Sequence, residues 1–323
     1  MNRRDTVFAL LALGAMGATA HAQEKPRRVA WFGVGRTDTP SLFLEAFREG
    51  MRDIGWIEGR NLALSVYFTQ GLPEDSERIG RQMLATNPEL VVVYGRDVPV
   101  ARRLKPECPV VFAFSGNPID AGIVQSFARP GSNFTGVSFM SLDLVGKRIE
   151  LLRELAPQIR RLAVLARPEH AGEHRERAVS EEISGKLGIS LVYAPIQAEA
   201  GLESALQGIE RQKCDALVAF PDAVMLANSG RIAKFAVELK IASVSGWGTF
   251  ADNGFLLSYG PNLQDSYRGL ARYADRVLRG ARPDELPVQL PRTVELVLNT
   301  RTARSLGIKI PQSVLLRADR VIE

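Results

Sequence analysis

Residues 90–95 read LVVVYG, a short run of β-branched and aromatic side chains that ends in glycine. Such a continuous apolar run is typical of a strand covered on both faces, as the central strands of a parallel sheet are. Similar runs lie on either side of it, RRVAWFGV at 27–34 and PVVFAFS at 109–115, with stretches of helical periodicity between them. This alternation predicts β–α units and therefore a parallel α/β sheet.

The alternation extends along the chain in two series. The first has strands at 27–34, 61–68, 90–95, 109–115 and 134–139, with helices at 40–54, 74–87 and 98–105. The second has strands at 160–166, 189–196, 215–221, 241–246 and 254–260, with helices at 142–155, 171–187, 199–212 and 223–239. No linker rich in Gly, Pro or Ser separates the series, so we predict two Rossmann-like lobes with parallel sheets joined by a hinge. A helix over 263–279 and a short tail that includes the strand-like VELVLN complete these lobes.

The first 22 residues have the pattern of a cleavable signal peptide. Arg3 and Arg4 precede an apolar run over 7–20, and Ala20-His21-Ala22 is a small-x-small cleavage signal. The apolar run is shorter than the roughly 20 residues of a membrane span. We therefore predict cleavage after Ala22 and a periplasmic protein, with the general and the twin-arginine export routes both open.

Removal of residues 1–22 leaves 301 of the 323 residues and lowers the net charge from +5 to +4, because the segment holds two arginines and one aspartate. That length suits two lobes of about 150 residues each. The densest basic run, ARRLK at 101–105, contains no aromatic residue, which favours a solvated helix face over a nucleic-acid site. Cys108 and Cys214 flank strands in different halves, so we predict two free thiols.

GVGRTD at 33–38 begins with the spacing of a dinucleotide-binding turn. The third glycine position holds Asp38, and the second predicted strand ends at 67–69 without the acid that binds a ribose. We therefore favour a helix N-terminus, capped by Asp38 or Thr39 with Pro40 in the first turn. Such a helix start follows the strand end at which open α/β sheets bind ligands.

Other catalytic patterns are incomplete. HAGEH at 170–174 has the spacing of one zinc protease class, but Pro168 and Gly172 indicate a loop that opens a helix. The sequence contains neither a G-x-S-x-G nucleophile elbow nor P-loop spacing. We predict no catalytic residues, no metal site and no cofactor.

Polar and aromatic residues follow many of the predicted strands, at the edge of a parallel sheet where ligands bind. The candidate ligand-binding residues are Thr37, Asp38, Arg96, Asp97, Ser115, Asn117, Arg167, Asp222, Trp247 and Tyr259. Each of them alone is more often a helix cap or a surface residue. Together they predict a cleft lined by both lobes, without the acid–base set that an enzyme needs.

Four segments resemble a large bacterial family: ARPGSNFTGVS at 128–138, GKRIELLRELAP at 146–157, LSYGPN at 257–262, and residues 291–323. These are the ABC-transporter substrate-binding proteins related to the tryptophan/tyrosine-binding TrpX type. The resemblance covers essentially the whole mature chain, and its C-terminal stretch is the most specific part. It implies a type I periplasmic-binding-protein fold, in which two lobes joined by three crossovers close on a small ligand.

The resemblance also implies a division of the chain and a set of partners. Lobe 1 would comprise 23–139 and 262–283, and lobe 2 would comprise 140–261 and 284–323. The partners would be a small-molecule ligand and an ABC permease in the inner membrane, with the protein itself a monomer that binds no nucleic acid.

Relatives that bind aromatic amino acids present a loop similar to Gly-Thr-Pro-Ala to the ligand carboxylate. The corresponding stretch at 95–99 reads Gly-Arg-Asp-Val-Pro and lacks the hydroxyl. The resemblance leaves two outcomes open, in which Arg96 binds a carboxylate or Asp97 repels one. Asp222 matches a position where relatives carry Asp or Asn, so it would meet an ammonium or hydroxyl group.

The leading hypothesis is a periplasmic solute-binding component of an ABC importer that captures a small polar molecule, an amino acid or related carboxylate, by lobe closure. One alternative is a secreted α/β enzyme that acts on a small metabolite through carboxylates such as Asp38 and Asp222. The other is a ligand-sensing lobe for a membrane receptor.

Overall fold

The computed structural model of the chain describes residues 25–35, 41–69, 73–139, 142–197 and 199–323. The predicted signal peptide and the candidate residues Thr37 and Asp38 lie outside the described residues. The described part forms a mixed α/β structure with two sheets, each the centre of one lobe.

Lobe 1 is built on a five-stranded parallel sheet with the strand order β2-β1-β3-β4-β5. The strands are β1 (Arg27–Val34), β2 (Leu62–Thr69), β3 (Leu90–Tyr94), β4 (Val110–Phe114) and β5 (Phe134–Ser138). Helices α1 (Leu42–Asp53), α2 (Pro73–Leu84) and α3 (Asp97–Leu104) connect them. Every residue of β3 and β4 is buried, as the continuous apolar runs predict for central parallel strands.

Lobe 2 is built on a seven-stranded sheet with the order β12-β11-β10-β9-β8-β6-β7, which is parallel except where β10 meets β11. The strands are β6 (Arg161–Ala166), β7 (Ser190–Pro195), β8 (Ala216–Ala219), β9 (Ala242–Ser245), β10 (Leu257–Pro261), β11 (Val294–Asn299) and β12 (Arg320–Ile322). The helices are α4 (Leu142–Leu155), α5 (Glu173–Lys186), α6 (Leu202–Arg211), α7 (Ala223–Ala227), α8 (Ser229–Glu238), α9 (Gly248–Asp252), α11 (Thr300–Leu306) and α12 (Gln312–Leu315).

Helix α10 (Leu263–Leu278) follows β10 of lobe 2 but packs on lobe 1. Its closest neighbour is α1, where a Cβ on Gly50 would lie 2.3 Å from the carbonyl oxygen of Arg268. The indole of Trp56 also donates a hydrogen bond of 2.9 Å to Asp275 of α10. These contacts attach α10 firmly to the first lobe.

The segment after α10 continues along lobe 1 before the chain returns to lobe 2. The backbone N–H of Gln289 donates to Gly136 at 3.0 Å, and that of Ser138 donates to Gln289 at 2.9 Å. The sequence-based division assigned residues from 284 onward to lobe 2. The hydrogen bonds to β5 instead join Gln289 to lobe 1, and the return to lobe 2 is complete at β11.

The predicted elements differ from the structure in the helices of lobe 2, where α9, α11 and α12 were not predicted and two predicted helices have a different form. The helix expected over 199–212 begins as a 3₁₀ turn, Glu199–Gly201, before α6. The helix expected over 223–239 is divided into α7 and α8 at Asn228, whose side chain donates to the carbonyl of Val224 at 3.0 Å. Asparagine favours such local bonds over the continuing helix.

Two further findings concern the chain as a whole. Cys108 and Cys214 are free, which confirms the prediction of two unpaired thiols. Among the described residues, no helix combines the length and the apolar character that crossing a membrane requires.

Candidate ligand-binding site

The carboxyl ends of strands from both lobes meet at a cavity of about 230 Å³. Lobe 1 contributes residues that follow β1, β3, β4 and β5, and lobe 2 contributes residues that follow β8 and β9. Five aromatic side chains form much of the wall, and we call this space the aromatic cavity: Phe43, Tyr94, Phe139, Trp247 and Tyr267. The remaining wall includes Val34, Ala113, Ala223, Leu226, Ala227 and Leu263.

The aromatic rings of lobe 1 pack on one another around Tyr267 of α10. Phe43 stacks on Tyr267 with ring centroids 4.4 Å apart and planes inclined by 16°. Tyr94 meets the same ring edge-on at 5.9 Å, and its hydroxyl donates to the carbonyl of Val34. Burial raises the pKa of Tyr94 and of Tyr267 above the usual value of a phenol, so both remain neutral. This arrangement provides apolar faces suited to a planar ring.

A small number of polar groups lie among these apolar walls. Arg96 follows β3 with an exposed side chain, and Ser115 follows β4. Trp247 is 5% exposed, and its indole N–H has no hydrogen-bond partner among the described residues. Buried donors are nearly always paired, so this unpaired N–H is unusual.

A second space between the lobes has a volume of about 350 Å³, and we call it the charged cavity. Its charged lining residues are Arg96, Asp97, Arg103, Arg167 and Glu169. Arg96 also lines the aromatic cavity, so the two spaces share this side chain.

Asp97 is buried below the loop that follows β3. Its carboxylate accepts a hydrogen bond of 2.8 Å from the hydroxyl of Thr69. Burial raises the pKa of Asp97, and the nearby Arg96 opposes that rise. The hydrogen bond therefore joins the end of β2 to the start of α3. Asp97 lines the charged cavity and not the aromatic cavity.

Asp222 begins α7 and is also buried. Its carboxylate accepts a hydrogen bond of 2.7 Å from the backbone N–H of Met225, so Asp222 is the N-cap of the helix. The same carboxylate lies 3.4 Å from the guanidinium of Arg167. Arg167 in turn lies 3.2 Å from Glu169. Asp222 thus supports Arg167 and the start of α7 and lines neither cavity.

Asn117 and Tyr259 also lie outside both cavities. The side-chain oxygen of Asn117 accepts from the N–H of Ile119 at 2.9 Å and so stabilises a turn. Tyr259 lies in β10, where its carbonyl accepts a hydrogen bond of 2.8 Å from the buried guanidinium of Arg148.

The two lobes contact each other directly beside the cavities. The Ser115 hydroxyl lies 2.9 Å from Nε2 of His170, which burial favours in its neutral form by lowering its pKa. Next to it, Asp120 and Arg175 form a two-pronged ion pair with distances of 2.8 and 2.9 Å. These contacts join lobe 1 to lobe 2 beside the cavities.

The structure brings together three of the candidate residues around the aromatic cavity, namely Arg96, Ser115 and Trp247. The residues predicted from the sequence do not include the aromatic side chains of Phe43, Tyr94, Phe139 and Tyr267. Tyr94 and Phe139 end or follow strands, so the rule used for the polar candidates also applies to them. Phe43 lies in the first turn of α1 and Tyr267 in the second turn of α10, where their apolar character also fits an ordinary core position.

Two lobes with parallel sheets that meet at their carboxyl ends around a small cavity define a two-lobed solute-binding architecture. The family model of ABC transporter substrate binding proteins matches residues 37–322, and the chain belongs to that family. It is therefore a solute-binding protein that captures small ligands, as the sequence predicted.

Several characterised proteins and solved structures are similar to this chain. The "Tyrosine-binding protein" of Clostridioides difficile is 21% identical over 269 residues, which cover 82% of this chain and 76% of that protein. A conserved domain protein of Vibrio cholerae is 28% identical with a TM-score of 0.83, over 92% of this chain and 100% of that one.

A third relative is an ABC domain of Streptococcus pneumonia solved in complex with L-Trp. It is 21% identical with a TM-score of 0.85, over 92% of this chain and 100% of that one. These similarities confirm the predicted family and the type I periplasmic-binding-protein fold.

Proposed function

We propose that the protein is the periplasmic component of an ABC importer and that it binds a solute with a planar apolar ring and an anionic group. The observation that carries this proposal is the aromatic cavity, whose walls come from both lobes. The ring would lie against the faces of Tyr94, Tyr267 and Trp247. The anionic group would meet Arg96 at the rim, close to the start of α3.

The relatives support a ring-bearing solute. One is named for tyrosine binding and another was solved with L-Trp. The Trp247 N–H would donate to an oxygen of the solute, which would explain why it lacks a partner in the protein. Thr37 and Asp38 remain proposed contacts because they follow Val34, which lines the cavity.

The proposed mechanism is capture by closure followed by docking on a membrane permease. A solute that contacts both lobes stabilises the closed arrangement in proportion to its extra contacts there. We propose a hinge through the segments that cross between the lobes, with lobe 1 comprising 23–139 and 262–289. Export by cleavage after Ala22, a monomeric state and the absence of catalysis belong to the same proposal.

A binding experiment on the mature chain from Gln23 tests this function. L-tryptophan, L-tyrosine, phenylacetate and indole would be screened by the shift in melting temperature and by calorimetry. Arg96→Gln is expected to weaken the binding of the carboxylates about tenfold and to leave indole unchanged, since only the carboxylates need a cation.

Fluorescence locates the bound ring. The chain has three tryptophans, Trp31, Trp56 and Trp247. Trp247→Phe should remove most of the fluorescence change on binding, whereas the control Trp56→Phe, whose indole contacts α10, should retain it. The proposal is wrong if no ring-bearing probe raises the melting temperature, or if mass spectrometry finds a bound probe chemically altered.

A further inference from the structure

The charged cavity is a second space between the lobes that the proposed ring site does not use. Lobe 1 contributes Arg96 and Arg103, and lobe 2 contributes Arg167. At about 350 Å³ it has room for a group larger than a single water molecule. Its position at the lobe interface means that anything bound there contacts both lobes.

The arginines of the charged cavity have spare hydrogen-bonding capacity. Arg103 lies 3.6 Å from Glu77, with more than half of its side chain exposed. Arg167 uses its terminal nitrogens for Asp222 and Glu169 at 3.4 and 3.2 Å, while its buried Nε–H has no partner among the described residues. A guanidinium has five N–H donors, so these contacts leave donors for a further acceptor.

The side chains that line the charged cavity carry a formal charge of +1. Three arginines face two carboxylic acids, Asp97 and Glu169. Burial raises the pKa of Asp97. Glu77 and Asp222 lie behind Arg103 and Arg167 as their ion-pair partners. The guanidinium group of arginine binds carboxylate and phosphate groups with paired hydrogen bonds.

The charged cavity adjoins the aromatic cavity. Arg96 lines both, and the contact of 2.9 Å between Ser115 and His170 joins a wall residue of one to a wall residue of the other. The two cavities therefore adjoin at Arg96 and at the contact between Ser115 and His170.

We propose that the two cavities are compartments of one binding site, and that the natural solute carries its ring on an arm that ends in an anionic group. The ring occupies the aromatic cavity, and the carboxylate or phosphate at the end of the arm occupies the charged cavity. This inference rests on the proposed function and names the class of solute, a ring with an extended anionic arm.

Matched probes test this inference by calorimetry on the mature protein. The first series consists of phenylalkanoates with a progressively longer methylene chain, and the second consists of phenylalkyl phosphates of the same lengths. Indole serves as the ring without an anion, and inorganic phosphate serves as the anion without a ring.

A pair of matched variants isolates the charged cavity. Arg103→Gln removes a cation that lines it, and Arg81→Gln is the control because Arg81 pairs with the same Glu77 at 3.3 Å but lies outside the cavity. We expect affinity to increase with arm length in the wild type. Arg103→Gln should lower the affinity of long-armed probes about tenfold and leave phenylacetate and indole unchanged, while Arg81→Gln should change none of them.

The possible outcomes separate the two proposals. A preference for the long carboxylate or the long phosphate identifies which anion the arm carries, and either result supports the inference. Binding of short-armed probes without any gain from a longer arm, or equal effects of Arg103→Gln and Arg81→Gln, would overturn the inference while the proposed function stands. Binding of inorganic phosphate alone with no gain from an attached ring would also overturn it. Failure of every ring-bearing probe to bind would overturn both proposals.

Discussion

A buried ionic cluster in lobe 2 should make the stability of the protein depend on pH. Glu176 lies in the first turn of α5, is almost fully buried, and interacts with the buried Arg148. Burial raises the pKa of Glu176 to about 7, the attraction of Arg148 opposes that rise, and the negative charges of Glu173 and Asp222 add to it. The contribution of Glu176 to the free energy of unfolding therefore depends on pH.

The direction and size of the effect follow from the two pKa values. The unfolded chain ionises Glu176 near 4.5, whereas the folded protein does so near 7. The raised pKa therefore contributes stability below pH 4.5 that is lost as the pH rises through about 7. A factor of ten in proton affinity is about 1.4 kcal/mol, so the loss amounts to roughly 3 kcal/mol.

Glu176→Gln removes this dependence because glutamine does not ionise. The free energy of unfolding would be measured by urea denaturation from about pH 4.5 to about pH 8 for the variant and the wild type. The difference, variant minus wild type, should increase by roughly 3 kcal/mol across this range, whatever its value at the acid end. All other ionisable groups are common to both proteins, so their contributions cancel to first order.

Glu182→Gln is the matched control, since Glu182 is on the same helix but is exposed and pairs with Lys186. Its difference from the wild type should change little with pH over the same range. A flat profile for Glu176→Gln would show that Glu176 ionises as readily in the folded protein as in the unfolded chain, and one that falls as the pH rises would show that it ionises more readily when folded. Either result would refute the reasoning.

Three further predictions concern the lobe interface and the packing of lobe 1. Asp120→Asn or Arg175→Gln should weaken ligand binding by no more than about fivefold, and the effect should shrink at high salt, because this exposed ion pair joins the two lobes and salt screens its attraction; an equal loss at every salt concentration would contradict this. Gly136→Ala should lower the free energy of unfolding by at least about 2 kcal/mol in urea denaturation, because its Cβ would lie 2.0 Å from the carbonyl oxygen of Phe112; an unchanged midpoint would refute it. Trp56→Phe should cost about 1 kcal/mol by the same assay through the lost hydrogen bond to α10, and a variant as stable as the wild type would show that this bond contributes nothing.

The local pattern of the sequence was sufficient for the strands and most helices. The helix predicted over 142–155 has the bounds of α4, and the apolar run at 90–95 is the buried strand β3. These features depend on the spacing of apolar side chains over one element, which is visible in the sequence alone. The division at Asn228 was missed because a single polar side chain decided it by bonding to the backbone of the preceding turn.

The candidate site was predicted only in part because strand ends show which residues are near a cleft but not which way they face. Asp222 satisfied the strand-end rule, yet its carboxylate caps α7 and holds Arg167. Trp247 satisfied the same rule and lines the aromatic cavity. The difference lies in side-chain direction and local hydrogen bonding, which strand position does not determine.

The sequence by itself determined the class of fold, the family and the order of the elements, because periodicity and family motifs are properties of neighbouring residues. Only the tertiary structure decided what the cleft contains. Phe43, Phe139 and Tyr267 are far apart in the chain, and the return of α10 to lobe 1 brings their rings together. The meeting of Arg96 with Arg167 across the lobes likewise follows from how two separate sheets face each other. Long-range packing of this kind leaves no local pattern in the sequence, so the sequence alone does not predict which side chains line the cavity.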